Sequence, residues 1–328
     1  MKEYETIFNK ICHRYCLGEM LEEPVQLSGG FMHKMYSLFT TKGKYAVKLL
    51  NPYVMKREDA MSNYRTAEKL EAVLVENHIP VLAAHLYNGE KMQEIDGQYL
   101  YVFDWFDGAA LQSEEITAYH CAKMGEVLAR IHRIDCIKGN CEKKEMDIDW
   151  PFYIVQLREE NTELYELMKQ SEDILYERQK KGNEAIKRLP DILAICHSDM
   201  DCKNVLWDGP DYRIIDLECL CYANPSLELF ELALCWSGYE SSQIDFNLYR
   251  TFIGAYKDAG GIKVEDPEVL YDSNCGSLEW LEYNIKRVLG IECGPEEKDM
   301  GISQVRSTLA HIEYYHKMKE LIVQNLDA

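Results

Sequence analysis

A chain of 328 residues, 47% hydrophobic and 28% charged, carries enough apolar material for a substantial core and for two lobes. No apolar run approaches the roughly 20 residues of a membrane helix, so the sequence predicts no membrane association. The net charge of −20 argues against nucleic-acid backbones and anionic lipids as partners.

The first sixteen residues interleave charges with apolar positions and lack the unbroken apolar stretch of an export signal. A cytoplasmic location with reduced thiols is therefore expected for the 12 cysteines. None of them forms the paired spacing of a zinc site. Residues 3–17 repeat apolar side chains at helical spacing (Ile7, Phe8, Ile11, Cys12, Tyr15). From Val25 to Leu50 the pattern becomes an antiparallel meander: 25–27, 35–40 and 45–50, punctuated by Gly29, Gly30 and Gly43. Residues 58–77 return to helical periodicity, with Tyr64, Ala67, Leu70, Leu74 and Val75 as the apolar face. Pro80 opens a strand and 99–103 is another. Residues 104–108 interrupt the apolar run and divide an N-terminal lobe, 1–103, from a C-terminal lobe, 109–328. Beyond the connector, helices are predicted over 114–133, 153–187, 226–239, 243–258, 276–289 and 302–325, with a loop over 137–148. The exception is 194–217, where short strands flank a polar loop.

That loop reads His197-Ser-Asp199-Met-Asp-Cys-Lys-Asn204, and an apolar strand after it ends in Ile214-Ile-Asp216-Leu-Glu218. Phosphoryl transfer needs one carboxylate to orient and deprotonate an attacking hydroxyl and two oxygen donors to hold Mg2+. Upstream, Lys48 sits inside the apolar run Tyr45-Ala-Val-Lys-Leu-Leu50, where an ammonium requires an anionic partner or must snorkel. Glu68 on the next helix is a candidate partner, with Glu71 one turn further on. Ser28, Gly29 and Gly30 lie between two strands, where bare backbone can approach phosphates.

These motifs occur in kinase order, and from about residue 25 to 325 the chain resembles the aminoglycoside phosphotransferase and choline kinase family, small-molecule kinases of the protein-kinase-like fold. The resemblance rests on residues 27–36, Tyr45 to Lys48, Glu68 with Ile79-Pro80-Val81, Phe103-Asp-Trp-Phe-Asp-Gly108, Gly125 to His132, His197 to Trp207 and Ile214 to Glu218. It implies an α+β, two-lobed fold: a small nucleotide-binding lobe, 1–103, of antiparallel sheet plus a helix, a hinge at 104–108, and a larger, mainly helical catalytic and substrate-binding lobe, 109–328. It further implies that Lys48 holds the α- and β-phosphates of ATP and that Glu68 orients Lys48. Phe103, Asp104, Trp105 and Phe106 would line the adenine site, Asp199 would act as the base, Asn204 and Asp216 would hold Mg2+, and His197 would brace the loop. Glu218 is open between metal support and a salt bridge, His132 reads as structural, and Lys203 is open between a phosphate contact and solvent. Three departures from the family pattern stand out. Ser198 replaces a usual Gly, Asp201 adds a second carboxylate, and the glycine loop is Gly-poor, leaving Ser28, His33 or backbone N–H groups to meet phosphate.

The acceptor is less legible. Residues 1–107 hold 12 Lys/Arg against 15 Asp/Glu, and the remainder 24 against 41, so the acidity lies in the C-terminal part. Such a lobe suits a small cationic hydroxyl acceptor, aminoglycoside-like. Trp105, Trp150, Trp207, Trp236 and Trp280 could instead serve choline or ethanolamine through cation–π contacts. Homoserine-type metabolites also fit. Trp280, Glu282 and Asn284 are expected to border the acceptor pocket. A non-catalytic nucleotide-binding pseudokinase is the reading of another class, and the presence of Lys48, Asp199, Asn204 and Asp216 stands against it. A protein kinase is disfavoured because Leu-Glu-Cys, not Phe-Gly, follows Asp216. Oligomeric state is not legible.

Overall fold

The computed structural model describes all residues except 1, 28–32, 140–142, 292, 295–296 and 327–328, and side chains from residue 7 onward. The chain groups into two compact units, one of Met1–Gln112 with His197–Cys221, the other of Ser113–Cys196 with Tyr222–Ala328. Among the described residues no helix is long and apolar enough to cross a membrane, and the cysteines are free thiols.

The first unit opens with helix α1 (Lys2–Arg14), followed by β1 (Val25–Gln26), β2 (Lys34–Thr40), β3 (Gly43–Leu49), the short α2 (Pro52–Met55), α3 (Ala60–Glu76), β4 (Gln93–Ile95), β5 (Gln98–Asp104) and β6 (Ala109–Ala110). Five of the strands form an antiparallel sheet in the order β1-β2-β3-β5-β4. Strand alternation sorts its faces. Val47, Leu49, Leu100 and Val102 point to one side, where Ile7, Phe8, Ile11 and Cys12 of α1 cover them. Tyr101 points to the other, where it packs with Leu50, Ala84 and Tyr64 of α3. Lys48 lies directly opposite Tyr101 in the β3–β5 register and so shares that second face. The expected apolar face of α3 differs at one position. Val75 is exposed, and Glu71 is buried in the interior.

The second unit contributes α4 (Ala118–Ile134), β7 (Cys136–Lys138), α5 (Trp150–Glu160), α6 (Thr162–Ile186) and β8 (Ile192–Cys196) before the chain returns to the first. The single helix expected over 153–187 is two. Asn161 closes α5 in an extended conformation, and its side chain accepts the Leu164 N–H to start α6. Part of the expected 137–148 loop is strand, β7 pairing antiparallel with β8.

Back in the first unit, β9 (Val205–Asp208) and β10 (Asp211–Ile214) form a hairpin around Gly209-Pro210, with Gly209 at φ +57°. β6 pairs with β9 on its other side. Residues 80–82 form no extended strand. They make a parallel bridge to β10, with Leu82 N–H donating to Ile214 O and Ile214 N–H to Pro80 O, both at 2.8 Å.

After β11 (Cys221–Ala223), the second unit resumes with α7 (Pro225–Cys235), α8 (Phe246–Asp258), α9 (Pro267–Ser273), α10 (Gly276–Leu289), α11 (Lys298–Lys317) and α12 (Lys319–Leu326). The helix expected over 302–325 is divided at Met318, and α9 was not foreseen. Its core joins Trp150, Leu157, Leu164, Met168 and Leu175 to Leu278, Leu281, Ile285, Val305 and Ile312. α4 and α8 approach closely at Gly125, where a Cβ would stand 2.2 Å from Phe252 O.

Candidate active site

The polar residues singled out in the sequence converge within the first unit, because hairpin β9–β10 folds the two halves of the motif onto each other. Val205 pairs with Ile214, and Ile215 N–H donates to Asn204 O at 2.9 Å. The residues just before β9 and just after β10 therefore meet. His197, wholly buried, ties the loop down: its Nε2 lies 3.1 Å from Ile215 O, and its Nδ1 accepts the Asp199 N–H at 3.3 Å. Ser198 occupies the left-handed region at φ +64°, as does Asp216 at +62°. Non-glycine residues held there carry strain that surrounding contacts must maintain. This is the conformation for which glycine, the usual residue in the resembled family, is suited.

Asn204 donates from Nδ2 to the Asp199 carbonyl at 2.8 Å and to Asp199 Oδ2 at 2.9 Å. Its amide oxygen is thereby left for another partner. Asp199 remains reachable, its side chain 36% exposed. Asp201 has a structural occupation: its Oδ1 accepts the Lys203 N–H and caps the turn Cys202–Asn204, while Oδ2 meets Lys203 Nζ at 2.6 Å. Lys203 also reaches Asp199 Oδ1 at 3.3 Å. Burial works against the Lys203 charge, but Asp201 and Asp199 outweigh it and raise its pKa.

Lys48 comes from the interior of β3 and is buried. Its ammonium contacts Asp216 Oδ1 at 2.7 Å and Glu218 Oε2. Burial alone would lower the Lys48 pKa; the two carboxylates reverse that and raise it. Glu218 is also opposed by burial, yet the hydrogen bond from His33 and the Lys48 charge hold it below the usual carboxylate range. The expected Lys48–Glu68 pair is not formed. Glu68 Oε1 accepts the Met92 N–H at 2.9 Å and the Tyr101 hydroxyl at 3.1 Å, and Lys48 is already occupied by Asp216 and Glu218. Glu71, one turn along α3, pairs with Lys91 at 2.9 Å and accepts the Ala84 N–H at 2.8 Å.

The connector residues follow directly from β5. Phe103 bridges Ala84, and Asp104 meets His85 Nε2 at 2.9 Å. Trp105 N–H donates to Lys44 O, and its ring lies 3.6 Å beneath Lys44 Nζ. Phe106 lies under the Arg213 guanidinium at 5.2 Å. Ser28, Gly29 and Gly30 lie outside the described residues. His33, a candidate phosphate contact, instead faces Glu218, Asn51 and Tyr64. Its buried partner was missed in the sequence because no spacing rule links residues 33 and 218.

In the second unit, all three expected acceptor-pocket residues are engaged, Trp280 through its Nε1–H donating to Gln304 Oε1 at 3.2 Å. Glu282 accepts from Tyr153 at 2.6 Å and pairs with Lys286, and Asn284 is wholly buried. Trp280 stays 41% exposed, whereas Trp150 and Trp236 are core residues. His132 is likewise internal, bonded to Glu228 Oε2 at 2.7 Å and to the Tyr256 hydroxyl at 2.9 Å.

A family model described as the phosphotransferase enzyme family matches residues 24–271. No curated protein matches the sequence. Among solved structures, a spectinomycin phosphotransferase in complex with ADP and spectinomycin superimposes with a TM-score of 0.74 at 12% identity, covering 95% of this chain and 98% of that one. An amicoumacin kinase in complex with AMP-PNP and Ca2+ gives 0.61 at 12%, with 93% of each chain covered. An ethanolamine kinase of Plasmodium vivax gives 0.54 at 17%, covering 87% and 81%. At these identities the likeness is one of fold.

Proposed function

The chain belongs to the phosphotransferase enzyme family, and on that premise we propose that it transfers the γ-phosphoryl group of ATP, with Mg2+, to a hydroxyl of a small cationic molecule of the aminoglycoside type. The observation that carries this reading is the convergence of Lys48, Asp199, Asn204 and Asp216 in one unit, with the loop and hairpin holding Asp199 against Asn204. Such chemistry asks the protein mainly for positioning and electrostatics.

Asn204 and Asp216 fit a hard divalent cation. Both offer oxygen, and the Asn204 amide is turned so that its nitrogen serves Asp199 and its oxygen is left over. Mg2+ held there would neutralise phosphate charge. Lys48 is the cation for the α- and β-phosphates, exchanging part of its hold on Asp216 and Glu218 for phosphate oxygens. Asp199 accepts the proton of the acceptor hydroxyl. Its Oδ2 is oriented by the Asn204 amide, and the Lys203 ammonium stands 3.3 Å from its Oδ1. His197 holds the loop and takes no proton. Residues 103–106 would receive the adenine through backbone groups.

The cationic acceptor follows from the acidity of residues beyond 107, 24 Lys/Arg against 41 Asp/Glu. The spectinomycin phosphotransferase and amicoumacin kinase likenesses are compatible with it. Choline, ethanolamine and homoserine-type acceptors form the second reading, favoured by the ethanolamine kinase likeness. The test is an ATP-consumption screen over aminoglycosides, aminocyclitols, choline, ethanolamine, homoserine and neutral sugars. A cationic amino-sugar acceptor should give the highest kcat/KM; preference for a neutral or anionic acceptor would refute the electrostatic reading. In the same assay Asp199→Ala should lose about 10²–10⁴ in kcat while Mg·ATP still binds within about threefold of wild type. Full turnover by that variant would remove Asp199 from the base role, and absence of turnover with every acceptor alongside tight Mg·ATP binding would favour the pseudokinase reading.

A further inference from the structure

Glu218 divides its two carboxylate oxygens between different partners. Oε2 takes the Lys48 ammonium, and Oε1 lies 3.0 Å from Nε2 of His33. His33 is buried, and its Nδ1 accepts the backbone N–H of Asn51 at 3.0 Å. An imidazole that accepts at Nδ1 carries its hydrogen on Nε2. The ring is therefore a donor toward Glu218, with the Tyr64 hydroxyl beside the same nitrogen at 3.1 Å. Asn51 is itself fixed, because its side chain caps α2 by accepting the Tyr53 N–H. The ring is thus held at both nitrogens, and Glu218 cannot turn without losing the donor at Oε1.

We propose that His33 is a positioning residue for the phosphoryl-donor site, and that Glu218, steered by it, is the carboxylate that orients Lys48 toward the nucleotide phosphates. This rests on the ATP reading above. Glu68, on α3, accepts from Met92 and Tyr101 at Oε1 and makes no ion pair with Lys48. Lys48 has two anionic partners, Asp216 and Glu218, and Asp216 is the one that the cation needs. Glu218 keeps the Lys48 ammonium from settling wholly on Asp216. When His33 no longer pins Oε1, Glu218 rotates freely, Lys48 drifts toward Asp216, and the site loses order for phosphate and cation together.

The test is calorimetric titration of the full chain with Mg·AMP-PNP. His33→Phe fills the ring's space without its donor and should weaken binding at least about tenfold. His33→Gln places an amide N–H near the Nε2 position and should stay within about threefold of wild type, which a purely space-filling role would not produce. The double variant H33F/E218Q should bind no more weakly than E218Q alone, since both act through one contact. Should His33→Phe not fold, His33→Asn serves instead: its amide answers Asn51 but stops short of Glu218. Wild-type affinity in a folded His33→Phe or His33→Asn protein, equal losses in the Phe and Gln variants, or additive losses in the double variant would overturn the role of His33. Failure of the wild-type protein to bind Mg·AMP-PNP would overturn the ATP reading as well.

Discussion

Ser198 and Asp216 flank the motif in the same left-handed conformation, at φ +64° and +62°. A side chain costs about 1–2 kcal/mol there relative to glycine's freedom. Ser198→Gly should therefore raise stability by up to about 1 kcal/mol in urea unfolding, once glycine's greater chain entropy offsets part of the gain; a loss of stability would show that the serine's own contacts outweigh the strain. The carboxylate of Glu218 sets a second expectation. Its pKa is depressed from the ordinary 4.5 in the folded chain, so the native state binds this proton less readily than the unfolded one. The stability it contributes is complete above pH 4.5 and lost as the pH falls below it. Glu218→Gln should flatten that part of the acid-unfolding curve, and an unchanged slope would show that the pairing contributes nothing net. Asp199, Asn204 and Asp216 were legible as a set because their spacing is local: five residues of loop, then one hairpin. Glu218 was legible only as an acidic residue of open role, and His33 as one of several phosphate candidates. The contact between them spans most of the chain and leaves no trace in spacing.

At the level of elements, alternation in β3 already placed Lys48 on the face opposite Val47 and Leu49, and the helix period placed Tyr64, Ala67, Leu70 and Leu74 of α3 inward. What periodicity could not distinguish was the role of two acids on one helix. Glu68 faces Tyr101 and Met92 while Glu71 is buried against Lys91, because a turn of about 100° per residue spreads them over adjoining stripes and the neighbours decide which is used. Breaks within long helical patterns were also invisible to periodicity; Asn161 stops one helix and starts the next by its cap alone. Helix packing in the second unit offers a sharper test. The Gly125 position leaves no room for a Cβ, since the nearest atom would be the Phe252 carbonyl oxygen, part of a backbone that cannot swing aside. Gly125→Ala should cost about 1–3 kcal/mol by overpacking α4 against α8, read as a lowered urea midpoint with an unchanged m-value. Retention of the wild-type midpoint would mean that the two helices separate without penalty.

Over the whole molecule, the proposed donor site assembles in a unit made of two stretches far apart in sequence, Met1–Gln112 and His197–Cys221, joined by the bridge of residues 80–82 to β10. A ligand that binds only the folded form stabilises it by about 2.7 kcal/mol at a hundredfold excess over Kd. Mg·ATP at that excess should accordingly raise Tm by several degrees, and EDTA or Asp216→Asn should abolish most of the shift. An equal shift in EDTA would show that Asn204 and Asp216 do not hold a cation with the nucleotide. By itself the sequence determined the kinase order of motifs, the helical and strand periods and the loop chemistry, because these depend on residues a few positions apart. Only the tertiary structure decided which acid serves Lys48, that His33 turns to Glu218, and that Asp201 caps a turn. Partner choice among several nearby charges is set by burial and by which donors the surrounding backbone has already satisfied, and neither is written in local spacing.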